Sequence, residues 1–103
     1  MKVLKFGGTS VGSVESILSL KSIVESQQDD CVVVVSALGG ITDQLIRASR
    51  QALERGDSYQ DCFLEMVKRH RDMVNTIIED ENKRQQLLKQ LGELFDELRS
   101  ILY

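Results

Sequence analysis

At 103 residues the chain holds one domain at most, or part of one, and a chain of this length buries only about two-thirds of the surface its unfolded form exposes. With 42% hydrophobic and 28% charged residues, no proline, no tryptophan and a net charge of −3, its composition is that of a soluble globular protein. Carboxylates and cations interleave, which argues against the basic face of a nucleic-acid binder, and no apolar run approaches the ~18 residues a membrane span needs.

In chain order, "KVLKF" (2–6) reads as a short strand. The start carries no signal-peptide pattern. After a glycine-rich turn, "SVESILSLKSIVES" sets Val14, Ile17, Leu18, Lys21 and Val24 at helical spacing, with Leu20 and Ile23 broadening the stripe and Ser13 as N-cap. "QQDD" is a polar connector to "CVVVVSA" (31–37), a β-branched run of the kind buried on both faces in a parallel sheet. Strand, helix and strand within about 35 residues read as a right-handed βαβ unit. A second small-residue turn, "SALGGITD", leads into a helix from Ile41 or Thr42 to Arg55, with Gly56 as its stop. "SYQD" (58–61) resembles a capping box with Asp in the last place. The helix it opens aligns Phe63, Met66, Val67, His70, Met73, Val74, Ile77 and Ile78 on one stripe. "EDEN" (79–82) breaks the pattern, and a last helix carries Leu87, Leu91, Leu94, Leu98 and Ile101 as a heptad seam, widened by Leu88, Phe95 and Leu102. The second half is therefore expected to be an antiparallel helical hairpin. Cys31 and Cys62 fall in apolar contexts without metal-ligand spacing, which favours free buried thiols in a reducing, cytoplasmic compartment over a disulfide.

Parallel strands end on the same edge of their sheet, so "KFGGTS" and "SALGGIT" are expected side by side in space. In open α/β sheets that crevice is where ligands bind. Glycines there let the backbone approach a ligand, hydroxyls (Thr9, Ser10, Ser36, Thr42) can hydrogen-bond it, and each turn feeds a helix N-terminus that favours an anion. Lys5 adds a full positive charge just before the first turn. Together they suggest a phosphate-handling crevice, though not a Walker A loop, because the lysine precedes the glycines. The bland alternative is a solvated strand-end lysine, a tight turn and a helix cap.

These residues match a known family. "MKVLKFGGTSV" closely resembles the N-terminus of aspartate kinases of the amino-acid kinase superfamily, and "VVVVSALGGITD" resembles their second strand and turn. The hairpin ending "LFDELRSILY" looks like the insertion of bifunctional aspartokinase–homoserine dehydrogenases. The resemblance implies an α/β fold: the βαβ start of a three-layer amino-acid-kinase-like domain with parallel strands, followed by a helical hairpin and truncated. Residues 1–56 would form the nucleotide and substrate half-site, and 57–103 the hairpin insertion.

On the family's pattern Lys5 would neutralise charge on the transferred phosphoryl group, the amides of Gly7 and Gly8 would cradle it, and Thr9 and Ser10 would add hydroxyl contacts. Ser36 matches a position near the nucleotide, and Thr42 one that contacts the amino-acid substrate. The implied reaction moves the ATP γ-phosphoryl group to the β-carboxylate of L-aspartate, with Mg²⁺, giving 4-phospho-L-aspartate on the route to lysine, threonine and methionine. NADP would be involved only if a dehydrogenase domain follows, and no protein metal ligands are assigned. The family's later Gly-Glu segment, its downstream Arg and Asp, and the adenine-wrapping segment do not occur in these residues. The chain is therefore expected to be a fragment, inactive alone, that associates with itself as a homo-oligomer without nucleic-acid or membrane partners.

Other positions carry structural expectations. Thr42 also suits a helix N-cap, Asp43 a favourable first-turn charge, and His70 a packed or half-exposed core position. Met66 and Met73 suit core filling, and the leucine seam the inner face of the hairpin or, less simply, a dimer interface. Two other functions fit more loosely: an amino-acid kinase with a different acceptor, and a non-catalytic helical interaction module.

Overall fold

The computed structural model describes residues 1–54 and 58–102. The chain forms two compact units, Met1–Thr42 and Asp43–Tyr103, each taken by itself below.

The first unit opens with β1 (Lys2–Phe6), turns through a short 3₁₀ segment (Gly8–Val11), and continues into α1 (Val14–Glu25) and β2 (Cys31–Val35). The strands pair in parallel in the register Lys2 to Cys31 through Phe6 to Val35, as the βαβ reading requires. Backbone bonds bracket the ladder: Lys2 N–H donates to the Asp30 carbonyl at 3.0 Å and Ser36 N–H to the Phe6 carbonyl at 3.1 Å. Ser13 caps α1 as expected, its Oγ accepting from the Ser16 N–H at 3.1 Å. This satisfies one of the four N–H groups a helix start leaves unpaired. We expect Ser13→Ala to cost about 0.5–2 kcal/mol, read as a lower urea midpoint with unchanged slope. The far end of α1 is closed by side chains, Ser26 Oγ donating to the Ile23 carbonyl at 2.6 Å and Gln27 Nε2 to the same oxygen at 2.9 Å.

Val11 and Ile41 are the buried apolar residues of this unit. The expectation that β2 lies buried on both faces is corrected: Val32 to Val35 are 38–53% exposed. The run is apolar on both faces, but among the described residues the sheet has two strands. α1 meets it where Phe6 shares a cleft with Leu20 and Ile23. Leu18, placed on the α1 stripe by spacing, is likewise exposed.

The second unit is helical. α2 (Ile41–Leu53) begins at the end of the first unit, and α3 (Ser58–Ile77) and α4 (Glu81–Leu102) follow. The expected end of α2 at Arg55 and its Gly56 stop lie outside the described residues, as does the Ser58 side chain of the supposed capping box. Ala48, Cys62, Met66, Met73 and Val74 form the buried core, with Met66 only 1% exposed. The hairpin is antiparallel: Phe63 and His70 of α3 both pack edge-on against Phe95 of α4, with ring centroids 5.9 and 5.3 Å away. At the other end, Arg84 Nη1 donates to the Ile78 carbonyl at 3.2 Å. Asp80 starts α4 as an N-cap, its Oδ1 accepting from the Lys83 N–H at 2.9 Å, which gives the "EDEN" break its physical cause.

The leucine seam needs correcting. Leu87, Leu91 and Leu98 are half-buried, as are Leu88, Phe95 and Leu102, but Leu94 is 62% and Ile101 74% exposed. The inner face of α4 therefore follows the 3.6-residue period of a straight helix, and the strict heptad positions drift off it. The ion pair of Lys68 with Asp72 in α3, at 2.9 Å, is exposed and contributes little to stability.

Candidate active site

The site is built from two turns at one edge of the sheet. β1 ends at Phe6, and Gly7 continues in an extended conformation (φ −80°, ψ −177°) before the 3₁₀ turn, which is closed by Ser10 N–H donating to the Gly7 carbonyl at 3.0 Å. β2 ends opposite Phe6 at Val35, and Ser36 to Gly40 lead into α2. Ile41 N–H donates to the Leu38 carbonyl at 3.0 Å, and Gly40 takes φ 86°, a left-handed conformation that favours glycine.

The turns touch through backbone. A Cβ on Gly39 would lie 2.9 Å from the Gly8 carbonyl oxygen, and one on Gly8 would lie 3.6 Å from the Gly39 Cα and 3.7 Å from Ser36 Oγ. A side chain on Gly7, by contrast, would meet open space. Gly8 and Gly39 thus press together while Gly7 leaves its backbone approachable, as a group that must sit against main-chain amides requires.

Of the residues singled out from sequence, Gly7, Gly8 and Ser36 come together here. The Ser36 hydroxyl donates to the Ala37 carbonyl at 2.8 Å, which leaves its lone pairs available. Thr9 and Ser10 line a cleft of about 330 Å³ that also holds Phe6, Leu20 and the hydroxyls of Ser16 and Ser19. Strand alternation roots Lys5 on the opposite sheet face from Phe6, so Lys5 does not share that cleft. The Lys5 side chain is exposed and no carboxylate pairs with it among the described residues. Its four-carbon stem lets the ammonium swing toward the strand end. Thr42 is exposed, but α2 already begins at Ile41, so Thr42 lies inside the helix and is not its N-cap. Asp43 does sit in the first turn, where a negative charge complements the helix dipole.

Gly39 and Gly40 were not among the sequence-derived site residues, although one packs the two turns together and the other supplies the turn geometry. A Gly-Gly pair directly between a buried-type strand and a helix was the available signal. His70 takes no part: its Nδ1 donates to the Met66 carbonyl at 2.7 Å, the packed role expected for it. Cys31 and Cys62 are free thiols; Cys62 is buried as expected, its Sγ donating to the Gln44 carbonyl at 3.3 Å, whereas Cys31 is only half-buried.

Comparison with known proteins gives the same direction. Residues 1–98 match the profile of the Amino acid kinase family. The chain is 32% identical, over 99% of its length, to a bifunctional aspartokinase/homoserine dehydrogenase of Buchnera aphidicola, and covers 13% of that protein. It is 30% identical, over 97% of its length, to the chloroplastic bifunctional aspartokinase/homoserine dehydrogenase 1 of Arabidopsis thaliana, covering 11% of it. With an aspartokinase of Bacillus sp. (strain MGA3) it shares 52% identity over 48% of its length, again covering 13% of the relative. The chain thus spans roughly an eighth of the length of these relatives. The resemblance to the front of aspartate kinases, first read from two short motifs, is borne out.

Proposed function

The chain belongs to the amino acid kinase family, and on that premise we propose that it is the N-terminal part of an aspartate kinase, acting on ATP and L-aspartate to form 4-phospho-L-aspartate. The observation that carries the reading is the backbone contact of Gly8 with Gly39, which joins a lysine-led turn to a hydroxyl-bearing turn at the C-terminal edge of parallel strands. Phosphoryl transfer depends mainly on positioning and on stabilising charge, and these are the residue types it needs. The main-chain N–H groups at Gly7 and Gly8 hold phosphate oxygens in the open space beside Gly7, and the hydroxyls of Thr9 and Ser10 steady them. Lys5 swings in from the other sheet face to neutralise the group in transfer. Ser36 orients the nucleotide, and the Thr42 hydroxyl holds the acceptor amino acid. Mg²⁺ would arrive on the triphosphate and withdraw charge from it.

Residues 57–103 read as the hairpin insertion of a bifunctional aspartokinase–homoserine dehydrogenase. The match favours this: bifunctional relatives align over 76–99% of the chain, whereas the aspartokinases align over 48–52%. NADP would belong to the dehydrogenase portion of such a protein, and the product would feed lysine, threonine and methionine synthesis.

The test is acceptor choice in the intact gene product, followed as ADP release with aspartate or glutamate. Turnover with aspartate alone supports the reading, and turnover with glutamate alone removes it. Within that enzyme we expect Thr42→Val to raise KM for aspartate more than KM for ATP, because the methyl keeps the side chain's size while a hydroxyl hydrogen bond is lost. A raised KM for ATP with aspartate unaffected would reverse the division of labour between the turns. The 103-residue chain alone is expected to release no ADP in the presence of aspartate, since catalysis needs both substrates held in line and this half-site holds neither fully. The same coupled assay at high protein concentration checks it.

A further inference from the structure

We propose that Gly12 is a positioning residue of the crevice: with Gly39 it grips the Gly8 carbonyl and thereby aims the Thr9 main-chain N–H at the phosphate. This inference rests on the kinase reading and extends it to a residue that touches no substrate.

Space, not backbone conformation, asks for glycine at position 12. Gly12 adopts φ −91° and ψ −15°, an ordinary right-handed conformation. A Cβ there would nevertheless lie 3.2 Å from the Gly8 carbonyl oxygen, 3.6 Å from the Thr9 carbonyl oxygen and 4.0 Å from the Thr9 Cα. All three obstacles are backbone. Gly39 repeats the pattern from the other turn. It lacks the left-handed conformation of Gly40, yet its Cβ would lie 2.9 Å from the same Gly8 oxygen and 3.4 Å from the Gly12 Cα. Three glycine backbones thus meet at one oxygen, and every contact is internal to the first unit.

Holding that oxygen orients an amide. The Gly8–Thr9 peptide is planar and trans, so its C=O and N–H point in opposite directions. From the Gly39 Cβ position the Gly8 oxygen is nearer than the Gly8 carbonyl carbon, 2.9 against 3.5 Å, so the carbonyl points into the junction. The Thr9 N–H therefore points out of it, away from Gly12 and Gly39. The turn itself is closed by the next amide, Ser10 N–H on the Gly7 carbonyl at 3.0 Å. A side chain at position 12 pushes on the Gly8 oxygen and tilts the peptide plane, and the Thr9 N–H turns with it. Hydrogen bonds weaken steeply as the donor leaves the line to its acceptor, and a donor stabilises charge best when it is already in place. Gly12 also directly precedes Ser13, the cap of α1, so the same contact ties the start of that helix to the oriented peptide.

The test is binding of Mg²⁺-ATP to the intact gene product by titration calorimetry, which needs no acceptor, with kinetics beside it. Gly12→Ala should raise Kd for ATP several-fold and Gly12→Val further, up to about 10²-fold, while KM for aspartate stays near that of the parent. A purely structural role would lower the melting temperature and the active fraction but leave Kd for ATP unchanged in the folded remainder. Gly39→Ala acts on the same carbonyl, so the double variant with Gly12→Ala should bind ATP about as weakly as the weaker single variant. A parent that does not bind Mg²⁺-ATP removes the kinase reading, and this proposal with it. A parent that binds, beside a folded Gly12→Val that binds ATP equally well, overturns the proposal alone. A double variant whose loss reaches the product of the two single losses does the same. Should Gly12→Val fail to fold, Gly12→Ala and the double variant decide by the same criteria.

Discussion

In the intact enzyme, Lys5→Ala is expected to lower kcat on the order of 10²–10³-fold and to leave KM for aspartate nearly unchanged; this magnitude is typical of losing one preorganised charge-stabilising donor. The physical reason lies in where the side chain is rooted. Lys5 is the fourth of the five residues of β1, exposed, and unpaired by any carboxylate among the described residues. Nothing in the first unit draws it into a structural ion pair, so removing its charge costs the fold little. In the role proposed for it, the lysine acts on the charge that develops on the phosphoryl group during transfer, which would affect the rate more than the binding of aspartate. Steady-state kinetics with unchanged circular dichroism checks this. A Lys5→Ala enzyme with near-normal kcat would take the lysine out of the mechanism.

Gly39→Val should lower the same rate by about 10²-fold through geometry alone, since a misplacement of about 1 Å can cost that much. A Cβ at this position falls 2.9 Å from the Gly8 carbonyl oxygen and 3.4 Å from the Gly12 Cα, and both obstacles are backbone. Backbone cannot swing aside as the end of a long side chain can, so the two turns must separate. The amides at Gly7 and Gly8 would then no longer face the proposed phosphate position together with Ser36. Gly7→Ala serves as the control, because its Cβ would meet open space in the free protein. Thermal melts alongside kinetics separate the effects: Gly39→Val should lose rate and some stability, and Gly7→Ala should keep its stability. Full activity in Gly39→Val would mean that the contact of the turns is incidental.

The sequence made some of this legible and hid the rest for identifiable reasons. The βαβ unit, the Ser13 cap, the antiparallel hairpin and the two glycine turns were readable because each is written in local spacing or local turn chemistry. That the two turns lie side by side was readable too, from parallel pairing; that Gly8 and Gly39 are the residues in contact was not, because that depends on the exact strand register. The inner face of α4 was misjudged for a finer reason. A seam spaced four and three drifts about 20° per heptad on a straight helix, so Leu94 and Ile101 leave the face that Phe95 and Leu102 occupy. In β2, sequence correctly marked an apolar strand on both faces. What covers those faces is not a property of the strand, and here Val32 to Val35 are open. For Lys5, the motif fixed its neighbours in sequence, but alternation put its root on the face away from Thr9 and Ser10.

That the two glycine turns form one phosphate-binding crevice is tested most directly by following each backbone amide of the 103-residue chain by NMR during titration with Mg²⁺-ATP. The largest shifts should fall on Gly7, Gly8, Thr9 and Ser36, with Gly39 and Gly40 moving at the same nucleotide concentrations and α4 unmoved. Shifts confined to the helical unit, or no shift at either turn at saturating nucleotide, would contradict it.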